Sequence, residues 1–284
     1  MTPLVLGLIA AVGWGMADYL AALSTRRVGT LRTMLWMQAS SLALLLVVVV
    51  PLGKVPPLDV ETAALAIGMG ALGAVMLAAL YRGLALGPVA IVSPVVAANA
   101  AVTVVLAVTL LGERLSAQQI AGIIATIAGV ALASTDLRVV RATLGRPSDG
   151  VGLALIAMIG FGVLGFLLAT VSRAYGALSM VVLLRAGTTL LLAAVAASLR
   201  FPPRVPPGSA FVIVLVGVLD TAGNVAYGEG ASLGYASIVA TASSAYPLIP
   251  FALGLTLLRE RVAPNQLAGV ALLLFGLATL GLAG

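Results

Sequence analysis

The sequence has no cysteine, no histidine and a single lysine, Lys54. Without thiols it forms no disulfide and no thiolate nucleophile; without imidazole it has no histidine metal site and no imidazole proton relay. A proton carried inside this chain must ride on a carboxylate. Lys54 lies in a loop, which removes a serine–lysine dyad, and no Gly-x4-Gly-Lys-Ser/Thr run is present through which a nucleotide could drive the protein. An intramembrane enzyme would then need a close carboxylate pair, so no catalytic residues, no metal and no cofactor are expected. Charge is also scarce: 8% of the 284 residues are charged, against roughly a quarter in a soluble domain.

Apolar residues make up 62% of the chain and its mean hydropathy is +1.20, with no shift in composition that would mark a soluble domain. The N-terminus lacks the basic start and cleavage signature of a secretory signal, so Met1 to Ala22 reads as a retained span. The net charge of +6 reads as arginines at lipid headgroups rather than as a nucleic-acid surface. The lipid bilayer is the expected partner and nucleic acid is not.

The chain contains one half of itself twice. Gly13-Trp14-Gly15 recurs as Gly160-Phe161-Gly162, Arg26 as Arg173, Gly70 as Gly217, Glu113-Arg114 as Glu260-Arg261 and Gln119 as Gln266, always 147 positions later. A spacing kept so constant means two related units with hardly an insertion between them. They are expected at 1–136 and 151–284, joined by a basic connection at 137–150.

Crossing the hydrocarbon core takes about 20 apolar residues. Ten stretches qualify: Pro3–Ala22, Thr33–Leu52, Thr62–Leu84, Ala90–Leu111, Ala117–Ser134, Val151–Val171, Leu178–Leu199, Ala210–Ser232, Ser237–Leu258 and Gln266–Leu282. Five spans per unit is an odd number, so the second unit lies upside down relative to the first, an inverted-topology repeat. The expected fold is all-α and membrane-embedded: ten helices in two inverted five-helix repeats around a central cavity. Connections after odd-numbered spans hold eleven arginines; those after even-numbered spans hold only Lys54, Arg114 and Arg173. Lysine and arginine mark the cytoplasmic side, which puts both termini outside, in a plasma (inner) membrane.

A specific resemblance emerges toward the end of the fourth span of each unit. Leu80-Tyr81-Arg82-Gly83-Leu84-Ala85, Pro94, Leu110-Leu111-Gly112-Glu113-Arg114-Leu115-Ser116, Gln119 and Gly122 resemble the EamA-type drug/metabolite transporter repeat. The second copy reads Tyr246-Pro247, Leu257-Leu258-Arg259-Glu260-Arg261, Gln266 and Gly269, and Trp14-Gly15 on the first span also suits the family. The resemblance implies alternating access and export of small metabolites or drugs, without fixing a substrate. It gives Glu113, Arg114, Glu260 and Arg261 a structural role at helix ends, orienting a tight connection and tethering it to the headgroups.

An ionisable group inside the membrane costs at least ~2.5–3.5 kcal/mol on insertion scales and normally faces a cavity or a partner. Asp220, Asn224 and Tyr227 recur at helical spacing, so they share one face of the eighth span as a cavity wall or an interhelical network. Asp18, one turn after Trp14, is either a titrating cavity carboxylate or an acid paired with Arg26 near the interface. Arg185 can take a substrate carboxylate or phosphate, or neutralise Asp18 or Asp220; its repeat mate is Gln38. Glu229, off the Asp220 face, is expected at the interface. Asn99 and Tyr246 stand on the fourth and ninth spans, which border the cavity in relatives. Pro94, Pro247 and Pro250 permit kinks there that can serve as gates. Gly122, Ala125 and Gly129 form a small-residue stripe for packing within the chain.

The expected function is a secondary transporter exporting small metabolites, amino acids or related polar and amphipathic compounds, with protons as a candidate coupling ion through Asp18 or Asp220. Alternatives are efflux of cationic drugs, with Trp14 stacked on the cation, and a facilitator or anion exchanger, which a lone Arg185 serves poorly. A monomer or weak homodimer is expected.

Overall fold

The architecture is that of a computed structural model, which describes residues 2–86, 92, 95–135, 137, 140, 150–202, 204–249, 252–253 and 263–282. Among them are ten helices: α1 (Pro3–Val28), α2 (Thr30–Val49), α3 (Val60–Leu86), α4 (Asn99–Leu110), α5 (Ala117–Ala133), α6 (Gly150–Tyr175), α7 (Ala177–Ser198), α8 (Pro207–Leu233), α9 (Ala236–Ser243) and α10 (Pro264–Leu282). Seven of them are long and apolar enough to cross a membrane. The molecule wears its apolar residues outside: Val47, Ile67, Leu190, Phe211 and Phe275 are more than 60% exposed. Lipid is the solvent that makes such a surface favourable.

Each repeat turns from its first to its second helix through one residue. Gly29 and Gly176, at repeat-equivalent positions, hold φ of 88° and 84°, a conformation that a side chain disfavours. The fifth helix of each repeat starts with a glutamine cap, reciprocal in the first repeat and one-way in the second. Gln119 Oε1 accepts from Ser116 N–H at 2.9 Å while Ser116 Oγ accepts from Gln119 N–H, and Gln266 Oε1 accepts from Ala263 N–H at 3.0 Å. The glutamines of the repeated motif are therefore helix-starting residues.

Helices α5 and α10 pack antiparallel. Gln118 near the start of α5 donates to Thr279 O at the end of α10, and Asn265 at the start of α10 donates to Thr135 O beyond α5. The small-residue stripe makes that contact: a Cβ on Gly276 would lie 2.5 Å from Thr126 N, and one on Gly122 3.0 Å from Gly276 O. This antiparallel pairing of equivalent helices is the inverted topology expected from five spans per repeat.

The fourth helix of each repeat departs from the continuous spans Ala90–Leu111 and Ser237–Leu258. A turn at Ala98 precedes α4, and a turn over 244–247 ends α9. These are the same place in the two repeats. In the second, Pro247 offers no N–H and the chain tightens to i→i−3 bonds, Tyr246 N–H to Ser243 O at 3.1 Å and Leu248 N–H to Ala245 O at 3.0 Å. Pro94 and Pro250 lie outside the described residues. Both breaks are held by a glycine of the opposite repeat: a Cβ on Gly15 would lie 2.5 Å from Tyr246 O, and one on Gly162 2.7 Å from Asn99 O. Gly150, the expected last residue of the connection, already belongs to α6, which starts one residue before the expected second unit.

Candidate functional site: a central cavity

The two breaks turn Asn99 and Tyr246 toward a cavity of about 320 Å3 between the repeats. Its walls are α1 (Trp14, Asp18, Thr25), α2 (Thr33, Met34, Gln38), α3 (Gly73, Ala74, Leu77, Leu80), α6 (Phe161, Gly165), α7 (Arg185, Thr188) and α8 (Asp220, Asn224, Tyr227). Polar side chains of α1, α2, α7 and α8 and apolar residues of α3 together give the space an amphipathic lining.

Arg185 is 1% exposed and is tied within the chain. Its guanidinium donates through Nη2 to Asp220 Oδ2 and through Nη1 to Gln38 Oε1, its own repeat mate. Asn224 Nδ2 donates to Asp220 O at 2.7 Å and to Asp220 Oδ2 at 3.3 Å. Of the roles expected for Arg185, the structure has it neutralise Asp220. Its Nε–H is buried without a hydrogen-bond partner among the described residues.

Asp18 is different. It is exposed to the cavity and makes no hydrogen bond or ion pair among the described residues. The alternative pairing with Arg26 is not formed among the described residues. Asp220, a like charge on the same cavity, acts on it. Ionised Asp18 and the Asp220–Arg185 pair leave the cavity with one net negative charge.

Trp14 and Tyr227 close the inner end of the cavity. Their rings lie 5.5 Å apart at 33°, and Gly223 on α8 makes room, since a Cβ there would lie 2.7 Å from Trp14 Cδ1. Tyr227 donates to Gly165 O at 3.1 Å across to α6. The cavity runs from there toward the α1–α2 connection, where Thr25, Thr33 and Met34 line it. That face carries Arg26, Arg27, Arg32 and Arg200 and is called the basic face below; Arg32 donates to Pro202 O at 3.1 Å and stacks 4.8 Å over Phe201.

The opposite face is shut by a junction. Arg173 on α6 donates to Ala231 O and Gly234 O at the end of α8, at 2.9 and 2.7 Å, and pairs with Glu113 at 3.2 Å. Glu113 in turn accepts from Ala236 N–H at 2.6 Å and from Ser237 N–H at 3.2 Å, and from the Ser237 hydroxyl. A carboxylate thus meets the positive end of α9 while a guanidinium meets the negative end of α8. Gly112, with φ of 68°, ends α4 and swings Glu113 inward. This corrects the expectation of a headgroup tether for Glu113: its side chain is 4% exposed because it caps a helix of the other repeat. Arg114 is exposed beside it. Glu260 and Arg261 lie outside the described residues. Glu229 is exposed and away from the cavity.

Sequence reasoning missed Phe161, the α3 wall and the Arg173–Glu113 junction. Phe161 was legible as the repeat mate of Trp14. The α3 wall had no signal, since apolar residues on an apolar helix announce nothing.

The EamA-like transporter family model matches residues 1–135 and 148–282, one match per repeat. No curated protein matches the sequence. Twenty-nine chains of solved structures match its fold; one, described only as the crystal structure of a protein, superposes with a TM-score of 0.76 at 19% identity, over 99% of this chain and 96% of its own. That likeness shows the fold, and the two family matches with the repeated motifs show the lineage. The chain belongs to the EamA-like transporter family, in its duplicated ten-helix form.

Proposed function

We propose that this protein is a secondary transporter that exports small metabolites bearing a cationic amine, amino acids and related polar or amphipathic compounds, by alternating access through the central cavity. The observation that carries this reading is Asp18: a carboxylate exposed to the cavity without a partner, while Arg185, the one arginine lining the cavity, is bound to Asp220, all among the described residues. An amine entering the cavity meets one uncompensated negative charge, with the Trp14 and Tyr227 rings at its inner end. An anion meets a guanidinium already engaged and buried, which counts against anion exchange. A proton on Asp18 serves the empty carrier as the amine serves the loaded one, so exchange of cargo for protons follows.

The apolar wall of Gly73, Ala74, Leu77 and Leu80 favours a second reading at the same site, efflux of amphipathic organic cations. The arginine bias, read with the positive-inside rule, supports a cytoplasmic basic face and cavity mouth in an inner membrane, the state in which an exporter loads. The working unit is taken as a monomer.

Tracer counterflow in proteoliposomes tests the class of cargo. Amines and amino acids should exchange and sugar phosphates should not; competition by tetraalkylammonium compounds would select the drug-efflux reading. Counterflow by sugar phosphates alone would overturn both.

A further inference from the structure

The two repeats do not sit alike about the cavity, and the difference falls on one carboxylate. Some contacts occur twice, once per half. Gly15 lies against Tyr246 O as Gly162 lies against Asn99 O; Arg32 binds the carbonyl of Pro202 as its counterpart Ser179 binds that of Lys54. Others occur once. Helix α6 packs along α8, where Tyr227 reaches Gly165 O and Ser172 is 1% exposed. In the other half α1 and α3 hardly touch among the described residues. The repeat counterparts of Tyr227, Gly165 and Ser172 are Leu80, Asp18 and Thr25; all three line the cavity, whereas Tyr227 and Gly165, which also border it, are joined by a hydrogen bond and Ser172 is buried away from it.

Inverted repeats reverse their access by exchanging arrangements. The state that faces the other way therefore brings Leu80 of α3 against position 18 of α1. The half already closed shows the space available there: a Cβ on Gly165 would lie 2.9 Å from Thr103 Oγ1 and 3.2 Å from Tyr227 Oη. Tyr227 brings a hydroxyl to that spot; Leu80 brings none, and neither do Gly73, Ala74 and Leu77. An ionised Asp18 would lose its water there and gain no donor, the case in which burying a charge is most costly.

We propose that Asp18 licenses closure of the basic face: α3 shuts on α1 only when this carboxylate is neutralised, by a proton or by the amine of the cargo. The amine half of this statement rests on the proposed function; the proton half does not. Among the described residues no other group substitutes: Arg82, two positions beyond Leu80 on α3, is exposed and outside the cavity lining. Asp220 on α8 is a like charge and is held by Arg185 of α7, Gln38 on α2 is uncharged, and Tyr246 beyond α9 is a neutral phenol. An empty, ionised carrier is thereby prevented from turning over, which makes the protein an exchanger rather than a leak.

The absence of cysteine supplies the test, because one introduced cysteine is the only thiol. Thr25→Cys reports the basic face and Ser172→Cys, its repeat counterpart, the opposite one. If closure takes up one proton, its equilibrium shifts about tenfold per pH unit while Asp18 is ionised. Lowering the pH by one unit, or adding benzylamine, should lower the ratio of the Thr25→Cys to the Ser172→Cys alkylation rate, each taken relative to a free thiol at the same pH so that the fall in thiolate cancels. In Asp18→Asn both cysteines should still react, with the dependence of that ratio on pH and on benzylamine gone. Leu80→Tyr, which restores a donor, should flatten the pH dependence with Asp18 intact. A slope unchanged in Asp18→Asn, or no pH response in the parent, overturns the proposal. A pH response without a benzylamine response sinks the amine reading and keeps the proton gate; amine transport with pH-independent labelling does the reverse.

Discussion

Replacing Glu113 by alanine should be among the most damaging single changes in this protein. Its carboxylate is 4% exposed and receives the N–H groups of Ala236 and Ser237 and the Ser237 hydroxyl. Alanine leaves those donors buried without an acceptor, at about 1–3 kcal/mol for each group left unsatisfied. Because the three share one site and relax together, the expected cost is roughly 3–5 kcal/mol, as for removing one partner of a buried charged network. The pair with Arg173 adds little, since Arg173 is 31% exposed and screened. Glutamine keeps one acceptor oxygen and should cost about half as much. At about 2–4 °C per kcal/mol for a chain of this length, Glu113→Ala should lower the apparent Tm in detergent by roughly 10 °C. Hydrogen exchange at the Ala236 and Ser237 amides should accelerate at the same time. A headgroup tether would be a surface residue worth under about 0.5 kcal/mol. A Tm shift below about 2 °C, with those two amides still protected, would refute the helix-cap account.

Three further outcomes follow from the same geometry. Asp220→Leu strands Arg185, whose side chain is 1% exposed, whereas Asp220→Leu with Arg185→Met removes the pair together; the double variant should recover most of the roughly 3–5 kcal/mol lost by the single one, as a double-mutant cycle on unfolding would record. Gly276→Val sets a side chain against the α5 backbone, where a Cβ already comes within 2.5 Å of Thr126 N; separation of α5 from α10 should show as loss of monodisperse protein in size-exclusion chromatography. Asp59 caps α3, and the N–H of Thr62 first, then its hydroxyl, hold the carboxyl below the usual carboxylate range. A lowered folded pKa means stabilisation present above the unfolded value and lost as pH falls through the folded one, so protection of the Ala63 amide should drop on acidification in the native protein and be pH-independent in Asp59→Asn.

The scaffold was legible because a membrane and a duplication leave loud marks. The 147-residue offset and the ten apolar stretches sufficed for the inverted ten-helix arrangement, and the Asp220, Asn224 and Tyr227 spacing placed one cavity wall. Pairing was not legible. Arg185 could have met Asp18, Asp220 or a substrate, and only three-dimensional placement puts it on Asp220 with Gln38. Glu113 looked like a surface motif residue because the α9 N-terminus it caps lies 123 positions away in the other repeat. The broken fourth helices were foreshadowed by Pro247, yet the break exposes its meaning only when Gly15 and Gly162 are seen filling in behind it. What sequence cannot carry is asymmetry: equivalent residues such as Thr25 and Ser172 read alike, and only the structure separates the open half from the closed one.

The most direct measurement is proton flux in proteoliposomes at fixed membrane potential, with amines, amino acids, quaternary ammoniums and sugar phosphates added singly to the native protein and to Asp18→Asn. The account predicts a flux evoked by amine-bearing compounds that vanishes in Asp18→Asn. A flux evoked by sugar phosphates and by no amine, or an amine-evoked flux that survives Asp18→Asn, would contradict it.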